Sequence, residues 1–343
     1  MTQPISLSVV IPAFNEAAHI GRTMRALRTA MERAGIDPND VVLVDDGSAD
    51  ATAEIAQHAF GPELKIVTQP NRGRFGARRT GIERSSRDFV LLLDARVELD
   101  PDSLVFWKGQ RRTDPDRSVW SGHTRTRTEG NPYAALWQFL AARVWPDYHG
   151  KLTGYGPEEF DSFPKGTGML IAPRVVWLWS IARQAERISD LPQDLVSDDT
   201  ALLREMIGKA GWFWLSPDFG AWYTSSRTTL VSFIRNAYYR GSTAVDGYAG
   251  RVGRLGAAAA WVPAAALAVT PATIAAIMFR PVWALGAVCA AVILASLATG
   301  SLARRSGMPW RRSLVVGALS APFAIGFVPG MWRGWVHRLK KRL

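Results

Sequence analysis

Cysteine is almost missing from this chain: Cys289 stands alone in 343 residues, which excludes an internal disulfide. The five histidines are scattered without zinc-ligand spacing. Acidic residues are missing from one end. No Asp or Glu follows Asp246, whereas twelve of the 41 Lys and Arg do, so residues 1–250 hold 29 bases against all 30 acids. The pI of about 10.2 therefore belongs to the tail. No basic, aromatic-rich surface is left in the first 250 residues to serve nucleic acid, and no nucleic-acid partner is expected. A phosphate-binding glycine fingerprint is missing too, because Pro-Ala-Phe-Asn-Glu follows the first apolar run where a dinucleotide site would place G-x-G-x-x-G. Residues 1–8 lack a basic region and a long apolar core, so the amino-terminal region is expected to stay in the cytoplasm.

What is present starts with LSVVIPAFNE and VVLVDDGSAD. Two β-branched runs, 7–11 and 41–44, flank a segment at 17–34 whose apolar residues Ile20, Met24, Leu27 and Met31 keep helical spacing. That pattern predicts strand, helix and parallel strand. Ligands of an open α/β sheet bind beyond the carboxyl ends of its strands, so Pro12, Asn15, Glu16, Asp45 and Asp46 are expected to line one acidic crevice. A helix at 50–60, stopped by Gly61-Pro62, and a strand at 64–68 follow. The continuous apolar run 89–93 suits a buried central strand. Further strands are expected at 118–122 and 169–172 and a helix at 201–209, with irregular chain from 123 to 165.

The paired VVIPxxNE and VDDGSxD stretches resemble the amino-terminal signature of the family 2 glycosyltransferases. The resemblance covers about residues 5–240. It implies a GT-A fold, that is, an α/β domain with a mixed, mostly parallel sheet between helices, and a nucleotide-sugar donor. By motif position Pro12 and Glu16 would border the nucleoside, and Asp46, supported by Asp45, would accept hydrogen bonds from base or ribose, as an ionised carboxylate does well. NRGRFGARRTG (71–81) resembles the segment that places Arg78 and Arg79 near the donor diphosphate, where a helix N-terminus and guanidinium groups favour an anion. The glycine-bearing turn with Gly166, Thr167 and Gly168 would lie beside the donor sugar.

In the family the strand equivalent to 89–93 ends in D-x-D, which holds a divalent metal on the donor phosphates. Here it ends in Asp94-Ala95-Arg96. Three readings stay open: Asp94 holds Mg2+ or Mn2+ with phosphates and water, Glu98 serves as a second ligand, or Arg96 itself supplies positive charge to the leaving group. Lost catalysis would leave a nucleotide-sugar-binding scaffold. Asp198-Asp199 before a helix resembles the family's catalytic-base motif, with Asp199 as base for an acceptor hydroxyl and Asp198 beside it. The same acids would also suit the helix dipole.

Residues 229–240 place Leu230, Phe233, Ile234, Ala237 and Tyr238 on one helical face, which suits a membrane interface. Residues 256–279 and 281–302 are uncharged, apolar and long enough to span a bilayer. A third, shorter stretch, 313–330, carries Pro322 and Pro329 and reads as a re-entrant element or a weakly specified third span. The flanking arginines orient the outer ends to the cytoplasm, and the basic tail with Trp332 and Trp335 suits anionic lipid.

The expected organisation is a cytoplasmic catalytic domain (1–228), an amphipathic helix and linker (229–250) and C-terminal transmembrane helices (251–343) in a multi-pass protein of the plasma membrane. The expected activity is an inverting transfer of a sugar from a nucleotide-diphosphate donor to a hydroxyl of a lipid-linked or membrane-presented glycan. A polyprenyl phosphate is the alternative acceptor, and membrane lipids are the other partners.

Overall fold

The structure is a computed structural model that describes residues 6–145, 150–166, 168–188, 198–251, 254–279 and 281–340. The chain forms two compact units: the described residues of 1–127, 145–190 and 198–225 make the first, and those of 128–144 and 226–343 the second. Residues 128–144 thus lie within the 1–228 stretch of the sequence division but pack in the second unit.

The first unit is built on one mixed sheet. Its strands are β1 (Leu7–Ala13), β2 (Val41–Asp45), β3 (Lys65–Thr68), β4 (Phe89–Leu93), β5 (Val97–Leu99), β6 (Trp120–Thr126), β7 (Thr153–Tyr155), β8 (Met169–Pro173) and β9 (Phe213–Tyr223). They run in the order β3-β2-β1-β4-β8-β6-β9-β5, and β7 pairs with β9. The first four strands are parallel, and β8 lies antiparallel between β4 and β6. Both faces of the parallel part are covered, which is why its strands read as unbroken apolar runs. On one face Val9, Ile11, Leu43, Leu91 and Leu93 share a core with Ile20, Met24, Leu27 and Met31 of α1 (Ile20–Ala34), Ala56 of α2 (Thr52–Phe60) and Trp107 of α4 (Ser103–Thr113). On the other, Val10, Leu92 and Leu170 meet Ile82 of α3 (Gly73–Arg84), Trp177 of α6 (Arg174–Ile188) and Met206 of α7 (Asp198–Ala210). Each such buried side chain contributes about 1.5–3 kcal/mol. Gly81 sits where α3 comes closest to the sheet, and a Cβ there would overlap Val10 and press on Val44.

The second unit contains α5 (Pro132–Val144), α8 (Leu230–Tyr248), α9 (Arg254–Phe279), α10 (Pro281–Arg305) and α11 (Trp310–Lys340). The expected irregular region from 123 to 165 thus contains a helix, α5, and strand β7 among its described residues. Ala135, Leu136 and Phe139 of α5 pack with Phe233, Ala303 and Val316. The apolar face of α8, read from sequence as an interface helix, buries Phe233, Ala237 and Gly241, leaving Leu230 and Val231 exposed. Gly326, Gly330 and Gly334 let the backbone of α11 lie directly on that of α8, and a Cβ at Gly330 would overlap the Tyr238 carbonyl.

Pro263 in α9 cannot donate to the carbonyl of Ala259. Instead the Trp335 indole N–H donates to that carbonyl at 2.8 Å. Trp332 donates to the Pro263 carbonyl at 2.9 Å. The two tail tryptophans therefore have defined partners in α9.

Among the described residues, Gly286–Arg305 (20 residues) and Trp310–Lys340 (31 residues) are long and apolar enough to cross a bilayer, and Leu255–Thr270 is a shorter apolar run. The stretch at 313–330 is thus part of one continuous helix that runs through both prolines. Trp261, Met278, Trp283 and Leu294 point outward, from 66% to 78% exposed. Such outward apolar faces fit a membrane-anchored unit.

Candidate active site

The site begins where β1 and β2 end level with each other, Ala13 opposite Asp45. The chain turns sharply after β1 at Asn15, whose φ of 53° is unusual for a residue other than glycine. Its side chain holds that turn. Asn15 Oδ1 accepts from Ala49 N at 2.8 Å, and Asn15 N donates to Ser48 Oγ at 2.9 Å. Glu16 N donates to Thr52 Oγ1 at 2.8 Å, so the two loops are tied side by side.

Asp45 is spent on its own turn, accepting from Ser48 N at 2.9 Å. Asp46, which directly follows β2, is buried. Its Oδ1 accepts from Gln69 Nε2 at 2.6 Å and Arg72 N at 2.9 Å. Thr80 Oγ1 in turn donates to Gln69 Oε1 at 2.7 Å. Gln69 and Thr80 escaped the sequence reading. Gln69 directly follows β3, the signal that pointed to the other strand-end residues.

At the end of β4, Asp94 N donates to the Gly168 carbonyl at 2.8 Å, which brings the turn before β8 beside Asp94. Gly166 lies in the same turn with open space around it. Thr167 lies outside the described residues. Thr23 Oγ1 donates to the Ala95 carbonyl at 2.9 Å and pins α1 to this corner. Arg96 reaches across to Glu16: its Nε lies 2.7 and 2.8 Å from the two carboxylate oxygens, and a second guanidinium nitrogen also bonds Oε1. Burial works against the Arg96 charge, but Glu16, Tyr223 and Asp94 outweigh it and hold the guanidinium pKa above its ordinary value. Pro12, the second-to-last residue of β1, pairs with Val44.

A second corner joins α3 to α7. Arg78, almost fully buried, donates to Asp199 Oδ1 at 2.7 Å, and Arg74 lies 3.9 Å from Asp199 Oδ2. The Arg78 bond thus engages one of the two oxygens that a base would use. Arg74 was missed by the sequence reading, although it stands four residues before Arg78 on the same helical face. Asp198 opens α7, and its side chain lies outside the described residues.

Two sequence candidates fall away from this cluster. Arg79 lies on the outer face of α3, half-exposed, and pairs with Glu83 at 2.8 Å. Glu98 turns to Arg127 at 3.0 Å and to Arg22 at 3.3 Å rather than joining Asp94. Arg79 pairs within its own helix, one turn away, whereas Glu98 meets two arginines that tertiary packing brings to it. Among the described residues no group of three His, Cys, Asp or Glu side chains could hold a metal ion. The donor set near Asp94, one carboxylate flanked by a guanidinium that has claimed Glu16, does not fit a metal site built by the protein.

The sequence profile described as Glycosyl transferase family 2 matches residues 8–151. The undecaprenyl-phosphate 4-deoxy-4-formamido-L-arabinose transferase of Pseudomonas paraeruginosa is 36% identical over 106 residues, 29% of this chain and 31% of that one. The protein of the same name from Salmonella paratyphi B is 32% identical over 102 residues, with 29% and 31% covered. The chain thus spans about a third of the length of the curated relatives it matches. A solved structure of a mannosyltransferase from Pyrobaculum calidifontis in complex with GDP-Man and Mn2+ superposes with a TM-score of 0.57 at 19% identity, over 92% of this chain and 87% of that one. That similarity shows the fold.

Proposed function

We propose that the chain, whose residues 8–151 match the Glycosyl transferase family 2 profile on a fold of GT-A type, is a membrane-anchored glycosyltransferase that moves a sugar from a nucleotide-diphosphate donor to a polyprenyl phosphate. In this reading the crevice formed by Pro12, Glu16, Asp46 and Asp94 takes the donor, with Asp46 facing base or ribose hydroxyls and Gly166 and Gly168 beside the sugar. The acceptor oxygen attacks the anomeric carbon from the face opposite the diphosphate. The bond from that carbon to the diphosphate oxygen breaks, and its electron pair leaves with the nucleoside diphosphate.

One observation carries the acceptor class. Asp199, the carboxylate at the start of α7, is held by Arg78 at 2.7 Å. A phosphate monoester arrives ionised and needs no base to remove a proton. The names of the curated relatives point the same way. The second reading, a hydroxyl of a lipid-linked glycan, rests on the place of Asp199 at a helix start beside Asp198. In that case the donor diphosphate would have to draw Arg78 away and release Asp199 as base.

Asp199→Asn separates the two. With a phosphate acceptor, radiolabelled sugar transfer should fall less than about tenfold. With a hydroxyl acceptor it should fall by a factor of about 10²–10⁴, the usual contribution of a general base. The membrane arrangement proposed with this function is multi-pass in the plasma membrane. Arg304 and Arg305 at the end of α10 and Arg311 and Arg312 at the start of α11 would face the cytoplasm together with the catalytic unit.

A further inference from the structure

The end of β4 offers three acidic side chains to a cation, and two of them are already matched to arginine. Glu98 is taken by Arg22 and Arg127. Glu16, only 7% exposed, is taken by the fork of Arg96 through both of its oxygens. Asp94 alone is left, and it receives the Arg96 backbone N–H at 3.3 Å. It also lies within the field of the Arg96 guanidinium, whose charge it helps to stabilise. A divalent ion settling on Asp94 would meet a fixed like charge in a partly buried corner, where such repulsion is weakly screened.

We infer that Arg96 takes the part of the divalent cation in donor binding: its guanidinium, aimed by Glu16, is the positive charge that meets the donor diphosphate, so that a nucleoside diphosphate binds without metal. This rests on the proposed nucleotide-sugar donor. A guanidinium suits the role because its planar fork matches two phosphate oxygens and stays charged at any physiological pH. Glu16 is a positioning residue. It neutralises the arginine in the empty site and fixes the plane of the fork when the anion arrives. Removing the arginine in favour of a carboxylate would set three acids around one point, Glu16 and Asp94 included, and so invert the preference of the site.

The experiment is calorimetric titration of the full-length, detergent-purified protein with UDP, GDP, CDP, ADP and dTDP, in EDTA and in Mn2+, for the wild type, Arg96→Asp and Arg96→Lys. The wild type should bind one nucleotide with dissociation constants that agree within about threefold between EDTA and Mn2+. Arg96→Asp should lose at least about tenfold in EDTA, or about 1.4 kcal/mol, and recover most of it in Mn2+. Arg96→Lys, which keeps the charge but not the fork, should weaken binding modestly and stay indifferent to metal; its melting temperature controls for folding. Wild-type binding that appears only with Mn2+ overturns the inference and leaves the donor reading standing. So does Arg96→Asp binding as tightly in EDTA as the wild type. Absence of wild-type binding for every nucleotide in both buffers overturns the donor reading itself, and the inference with it.

Discussion

The two compact units satisfy their polar groups by opposite means. In the first, charge meets charge: Arg96 with Glu16, Arg78 with Asp199, and Arg87 and Lys65 with Asp40. In the second, no acid follows Asp246, and helices meet backbone to backbone through Gly241, Gly326, Gly330 and Gly334, with the Trp335 indole N–H closing a carbonyl that proline leaves open. The difference follows from the surroundings each unit is built for. An arginine–carboxylate pair in a partly buried corner can be rearranged by an incoming anion that offers the arginine an equivalent charge. In hydrocarbon an unmatched charge or carbonyl costs several kcal/mol, so close packing and complete backbone satisfaction are the available means. Under the proposed function, chemistry gathers at the strand ends of the first unit and the second serves as its anchor.

The largest effects should come from overlap at the closest backbone approaches, one in each unit. Gly330→Leu would drive a side chain into the Tyr238 carbonyl, and Gly81→Val would do the same to Val10 and Val44. Each is expected to cost about 3 kcal/mol, the upper range for overpacking, read as a drop in thermal stability in detergent. If Gly330→Leu melts like the wild type, the packing of α8 on α11 is not as close as described.

Asp40 tests the charge side of the comparison. It accepts from Ser8 Oγ at 2.6 Å and Ser86 Oγ at 2.9 Å. Burial pushes its pKa up, but these bonds and Lys65 prevail and hold it below the ordinary carboxylate value. A depressed folded pKa contributes stability that is full above pH about 4 and is lost as pH falls through the lower folded value. Asp40→Asn should therefore cost about 2 kcal/mol at neutral pH, the range for a buried, charged hydrogen-bonded group, and its deficit should shrink below pH about 4. A deficit that stays constant in acid would show that the carboxylate charge is not what matters. A smaller effect, about 1 kcal/mol, is expected for Trp335→Phe, which leaves the Ala259 carbonyl without its donor. The double variant Trp335→Phe, Pro263→Ala should recover part of that loss, because replacing the proline restores the backbone N–H that the carbonyl lacks.

The parallel half of the sheet was legible because its strands are short, β-branched and buried on both faces; residues 89–93 are predicted and observed with identical limits. Strand β9 was not. Its sequence FWLSPDFGAWY holds Pro217, Asp218 and Gly220, which break any strand-like alternation, yet it pairs with β5, β6 and β7, with a register shift in its pairing with β6. Helix α5 was hidden for a different reason: aromatic and small residues on several faces gave no clear helical stripe. At the site, strand-end positions could be read from sequence order alone. The partners of the charged groups could not, because Arg78 and Asp199 are 121 residues apart and only tertiary packing brings them together. Glu98 shows the same limit, since nothing local says that it prefers Arg22 and Arg127 to Asp94.

Lys165 sharpens the comparison at its weakest point, as a charge of the first unit held without a close carboxylate. Its amine donates to the Phe163 carbonyl at 2.6 Å and lies 4.3 Å from the Phe160 ring. Burial lowers its pKa from 10.5 to about 7, Asp161 pulling it back up and Arg204 pushing it further down. Between those two values the unfolded chain binds the proton more tightly than the folded one, so this lysine makes stability rise with pH from about 7 towards 10.5. Because the side chain is partly exposed, the change across that window should total only about 1 kcal/mol after screening. Denaturant midpoints measured at intervals from pH 6 to about 10 should therefore climb in the wild type relative to Lys165→Met. Two parallel curves would mean that the carbonyl and ring contacts keep the amine protonated and that it belongs with the matched charges after all.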